Sequence, residues 1–191
     1  MQDLNWVQVD PGSAMLGSND RSVLRGGIGP RHQVKISGSF EITKYPIPSI
    51  IAKQMIESGE AELASESEWA VSNAQSLILG EPGTTETLAD SVGNYWGKPC
   101  DGRPYTGDSE IRTRRVRVWS NRGVTESTRP IELADSYPMR LVRRGSKYSG
   151  IPIRLPASGD TTRILKQELI ICFTAGILPS FMWAWFNACL L

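Results

Sequence analysis

Polar and apolar positions alternate from the start of the chain. Trp6, Val7, Gln8 and Val9 read as a short strand turned by Pro11-Gly12, and Met15-Leu16 is a second apolar pair before the turn-rich Gly17-Ser18-Asn19-Asp20. The glycine-rich stretch from Arg21 to Arg31 reads as a surface loop, because no Lys-Ser/Thr and no helical pattern follow it. His32 to Ile36 alternates again, with Val34 and Ile36 on one face, and Phe40 and Ile42 continue the sheet. The period then lengthens. Pro48 can open a helix in which Ile51 and Met55 lie four apart and which Gly59 closes. Ser65-Glu66-Ser67-Glu68 has the form of a capping box, and the helix it opens turns Ala70, Ala74, Leu77 and Ile78 inward and ends near Gly80. Glu81 to Glu110 is rich in Gly, Pro, Thr and Asp and reads as a long irregular loop, the kind that is usually functional or mobile. Short strands follow within 112–119, 139–142 and 151–155. Strands, two helices, a loop and more strands make an α+β chain.

The last stretch breaks the pattern. Leu169 to Leu191 holds 23 residues without a charge, long enough for a helix to cross a bilayer. Pro179 would kink that helix, Trp183, Trp185 and Phe186 resemble an interfacial aromatic group, and Arg163 and Lys166 precede it. The start, MQDLNWVQVD, has neither the basic nor the apolar region of a signal peptide. The expectation is a folded domain over 1–155, a linker over 156–168 and a membrane tail over 169–191, with the domain on the cytoplasmic side. Leu155-Pro156-Ala157-Ser158-Gly159 looks like a wall-sorting signal but lacks its Thr and its trailing basic residues, so it reads as a loop.

Charge changes the picture next. The net charge is +1, yet residues 1–100 carry 7 basic and 12 acidic side chains and residues 101–160 carry 12 basic and 7 acidic. Two halves of −5 and +5 can pair across one core or present a basic face to an acidic partner, and the cancelling total favours pairing. One histidine, His32, excludes sites built from several imidazoles; it sits on an alternating strand and reads as structural. Three cysteines at 100, 172 and 189 show neither zinc-ribbon spacing nor a disulfide framework.

Several segments taken in order resemble the formylglycine-generating enzyme family, also called the sulfatase-modifying-factor family. Trp6 to Ser18, WVQVDPGSAMLGS, is similar to that family's opening; Pro30 to Ile36 and Phe40 to Ile47 resemble its next strands. Leu63 to Trp69, LASESEW, resembles its most specific helix start, and Asn94 to Gly97 and Met139 to Arg143 match later elements more weakly. The likeness covers about residues 5–144 and implies a compact C-type-lectin-like fold with a loop-built ligand surface. The family's enzymes oxidise a cysteine with a copper-binding cysteine pair, whereas here Cys100 stands alone outside the apolar tail. The related iron enzymes need several histidines. The resemblance therefore points to a non-catalytic branch with no metal and no cofactor.

Candidate contacts lie on the loop after residue 94. Trp96, Lys98, Asp101, Arg103 and Tyr105 have the composition of a recognition surface, and loop packing is the alternative reading. Cys100, near Lys98 and Arg103, is a candidate reactive thiol, with an inert loop cysteine the plainer reading. Trp119 lies among Arg112, Arg114, Arg115, Arg117 and Arg122. Strand alternation sends Arg115 and Arg117 to one face and Arg112 and Arg114 to the other, which argues against a nucleic-acid patch. The acidic run Glu57, Glu60, Glu62, Glu66 and Glu68 is an available internal or intersubunit partner. The function expected is a ligand- or protein-binding accessory domain held in a membrane complex. The alternatives are a degenerate copper oxidase using Cys100 and a retroelement-diversified ligand-binding protein.

Overall fold

The computed structural model describes residues 4–18, 29–91, 95–106, 112–145, 148, 150–155 and 158–188. Most of the glycine-rich stretch, Asn94 and Cys189 lie outside them. The chain divides into two compact units, Met1–Leu155 and Pro156–Leu191.

The first unit is α+β, with short antiparallel strands and helices. Strands β1 (Trp6–Val9), β3 (His32–Ile36) and β4 (Phe40–Thr43) lie where alternation predicts them, and β2 (Gly12–Leu16) forms around the apolar pair Met15-Leu16. Helix α1 runs from Ser49 to Glu57 and buries Ala52 and Met55. Strand β5 (Glu62–Leu63) leads into α2 (Glu66–Ala74), and β6 (Thr85–Thr87) follows. A hairpin of β7 (Thr113–Ser120) and β8 (Gly123–Pro130), the short helix α3 (Ile131–Ala134) and β9 (Leu141–Arg144) complete the unit. Three sheets result, ordered β1-β4-β9-β5, β2-β3 and β6-β7-β8.

Helix α2 starts as its sequence requires. The Ser65 hydroxyl accepts from the Glu68 amide at 3.1 Å, and the Glu68 carboxylate accepts from the Ser65 amide at 2.8 Å. Its end differs from expectation. The helix stops at Ala74, Ser76 takes φ 58°, and the Ser76 and Leu77 amides donate to the Asn73 and Ser72 carbonyls. These two bonds form a Schellman cap with serine in the left-handed position that glycine usually occupies. Ala74 consequently faces solvent, while Ala70 and Ile78 are buried.

The apolar core has two parts. One joins Val9, Val34, Ile42, Trp69, Val71 and Leu88 between the sheets and α2; the other gathers Ile47, Ala52, Met55 and Leu141 around α1. Three expectations need correction. Residues 81–110 are not wholly irregular, since β6 lies inside them. Ile151–Leu155 forms no strand, only a bridge from Arg154 to Pro99. Strands β5 and β8 and helix α3, which carry little apolar patterning, had no counterpart in the alternation.

The second unit is helical. Helix α4 (Ser158–Ile171) begins within the segment expected to be a linker, passes through a π-helical turn at Cys172–Ile177, and continues as α5 (Leu178–Ala188). Pro179 supplies no N–H and its ring crowds the carbonyl of Ala175, so a widened turn just before it relieves both conflicts. Leu165–Ala188, 24 residues containing an 18-residue stretch of mean hydropathy 1.8, is long and apolar enough to cross a membrane. Its polar side chains are satisfied locally: Thr174, Ser180 and Asn187 donate to the carbonyls of Ile170, Gly176 and Trp183 at 2.7–2.8 Å.

Candidate functional site

Strand β7 and helix α2 build an ion cluster inside the first unit. Arg115 and Arg117 are two apart on β7 and share its inward face, and register places Glu126 of β8 opposite Arg117. Both guanidinium groups meet the fully buried Glu66 at the first turn of α2. Its Oε1 accepts from Arg117 Nη2 at 2.7 Å, Arg115 Nη2 at 2.9 Å and the Tyr95 hydroxyl at 2.8 Å. Glu126 Oε2 accepts from Arg117 at 2.9 Å and from Arg115 at 3.1 Å. Lys98 is fully buried, bonded to Asp90 and 3.9 Å from Glu66 Oε2. Asp90 also accepts from the Glu66 and Tyr105 amides at 2.7 and 3.0 Å. Three cations thus face three carboxylates. Buried charges persist only when paired and hydrogen-bonded, and here each one is.

The cluster tunes its members. Burial alone would raise the Glu66 carboxyl pKa; the charges of Arg117, Arg115 and Lys98, with the Arg115 hydrogen bond, overcome it and hold the group well below the usual carboxylate range. Burial, together with the negative charge of Glu66, pushes the Tyr95 phenol well above its ordinary value. Tyr95 therefore stays a hydrogen-bond donor. His32 packs edge-on against it at 4.9 Å, and its Nδ1 lies 2.9 Å from the Pro30 carbonyl oxygen.

A second network lies behind the first. Glu86 accepts from Trp69 Nε1 at 2.7 Å, Trp119 Nε1 at 2.8 Å and Arg140 Nε at 2.6 Å. The remaining Arg140 donors reach the carbonyls of Thr43, Lys44 and Leu79.

Beside the cluster a cleft of about 550 Å³ opens between β2, α2 and β8. Met15, Ala70 and Val124 give it apolar walls, and Trp69 stands behind them, its ring 4.8 Å from the Arg117 guanidinium. Asn73, Arg117 and Glu126 supply polar groups. Glu126 is the accessible member of the cluster: its side chain is 25% exposed, and its Oε1 has no hydrogen-bond partner among the described residues. The lining is polar and apolar in roughly equal parts, so an occupant would need both an apolar body and polar groups.

The candidates read from the sequence separate. Lys98 is no surface contact but part of the buried cluster. Cys100 is buried, with Sγ 3.7 Å from the Lys98 carbonyl oxygen, which removes the exposed electropositive setting a reactive thiol needs. Trp119 is half-buried and tied to Glu86, and its ring lies so close to Gly80 that a Cβ there would come within 2.3 Å of it. Asp101 pairs with Arg103 at 3.1 Å, and the Tyr105 hydroxyl donates to the Trp96 carbonyl. Of the set, Trp96 is the exposed aromatic. Sequence reasoning anticipated that Arg115 and Arg117 share a face and that Glu66 is an internal partner. It missed Tyr95, Glu126 and Asn73; the one available signal was the polar alternation of residues 123–130. Arg112 and Arg114 pair with Glu132 and Asp135 at 3.0 and 3.4 Å, so the arginines divide between two faces as alternation requires.

No family model matches the chain, and no curated protein matches it. Among solved structures, PvdO from Pseudomonas aeruginosa is similar with a TM-score of 0.53 at 13% identity, over 75% of this chain and 96% of that one. At that identity the likeness is one of fold.

Proposed function

We propose that the chain is a non-catalytic recognition domain, related to the formylglycine-generating enzymes and attached to a membrane through Leu165–Ala188. The observation that carries the non-catalytic reading is that every charge of the ion cluster is paired with an opposite one. Glu66, Asp90, Arg115, Arg117 and Lys98 are each engaged by partners of opposite charge, so the groups under the cleft are fixed dipoles and charges rather than proton carriers. The kinship is supported by the order of the sequence segments from Trp6 to Arg143. The cleft offers an apolar wall with the spare Glu126 oxygen beside it, which suits a small compound with an apolar body and a hydroxyl or ammonium donor.

Thermal unfolding of the detergent-solubilised full chain with phenethylamine and phenethyl alcohol tests the cleft. Binding at ten times Kd stabilises by about 1.4 kcal/mol, a shift of roughly 2–4 °C for a domain of this size. The Ala74→Phe variant, which fills the cleft from an exposed position on α2, should abolish the shift. An undiminished shift in that variant would place the binding elsewhere.

A further inference from the structure

The first unit carries an exposed apolar ledge next to its last residue. Ile151 is 96% exposed, Ile153 68% and Trp96 43%. Backbone bonds fix these residues on two joined segments: Cys100 N donates to the Ile153 carbonyl at 2.7 Å, Leu155 N to Lys98 at 2.9 Å and Gly97 N to Leu155 at 3.1 Å. Arg154 Nη1 donates to the Gly97 carbonyl at 2.8 Å, and the buried Leu155 pins the end of the ledge. Arg154 is exposed, and so is Lys35, whose backbone amide donates to the Cys100 carbonyl. Two exposed isoleucines, a tryptophan and two cations on one ledge leave apolar surface in water that a folded unit ordinarily covers.

Chain length identifies the occupant. Two residues separate Leu155 from the helix that begins at Ser158, and eleven more lead to Leu169, where the uncharged stretch starts. Three Cα–Cα steps and eleven helical rises reach no more than about 28 Å. If the span crosses a bilayer, the ledge is tethered within that distance of the hydrocarbon edge. Isoleucine favours the acyl boundary, tryptophan the headgroup level, and arginine and lysine the lipid phosphates. We infer that the ledge of Trp96, Ile151 and Ile153 rests on the anionic lipid surface of the membrane that the helix spans, with Arg154 and Lys35 meeting the headgroups. This rests on the membrane reading above and adds a second, interfacial contact that would orient the domain.

Nitroxide labels test it in the full chain, with its three cysteines replaced by alanine. Ile151→Cys, Ile153→Cys and, as an equally apolar control on α1, Ile50→Cys (75% exposed) each carry one label in turn. The chain is reconstituted in phosphatidylcholine vesicles containing a minor share of phosphatidylglycerol and washed with alkaline carbonate. Labels at 151 and 153 should lose collisions with an aqueous nickel chelate several-fold relative to position 50 and gain collisions with oxygen. Equal nickel access at all three positions in carbonate-resistant vesicles would overturn the ledge and leave the anchor standing. Shielding from both reagents would mean a protein covers the ledge, which also overturns it. A chain recovered in the carbonate supernatant overturns anchor and ledge together.

Discussion

Glu66 is the residue on which the first unit's interior turns. Replacing it by glutamine removes one negative charge and leaves Arg115, Arg117 and Lys98 short of compensation in a buried site. Breaking such a pair from one side costs about 3–5 kcal/mol, so the Glu66→Gln variant should unfold at markedly lower denaturant, read by tryptophan fluorescence. The same group sets an acid dependence. Its folded pKa lies well below its ordinary value of 4.5, so the unfolded chain takes up the proton first as pH falls. The stabilisation is fully present above about pH 4.5 and is lost progressively below it. Denaturant midpoints should therefore drop between pH 5 and pH 3 in the wild-type chain, and the Glu66→Gln variant should show a flatter decline. An equal slope in both would remove Glu66 from the account.

At the scale of elements, the signals that worked were local. Ser65 and Glu68 mark the start of α2 because their side chains cap backbone groups, and Pro48 marks that of α1 because its ring fixes φ at −51°. The end of α2 was less legible, since serine is an unusual occupant of a left-handed cap. That strain is removable: Ser76→Gly should stabilise the unit by about 0.5–1 kcal/mol in thermal or chemical unfolding. Strands β6 and β8 escaped the alternation for a different reason. Hydrophobic periodicity assumes that inward positions are apolar, whereas Glu86 and Glu126 turn inward to meet arginines. Reading Lys98 as a recognition contact rests on the same assumption, whereas the side chain is buried. A partly ionic interior is invisible to a pattern built on hydropathy.

Over the whole molecule, composition proved more informative than pattern. The acidic first half and basic second half meet directly, in Glu66 with Arg115 and Arg117, Glu86 with Arg140, Glu60 with Arg143, and Glu62 and Glu68 with Arg144. The opposite charges of the two halves are thus spent largely on pairing across the fold. The α+β class and the long apolar helix were legible in the sequence; the cleft was not, because β2, α2 and β8 are brought to it from three places about fifty residues apart along the chain. The central claim is that a folded recognition domain is held to a membrane by that helix. Alkaline carbonate extraction of membranes from cells expressing the full chain tests it most directly. The account predicts that the chain stays in the pellet and is released by detergent; recovery in the carbonate supernatant would contradict it.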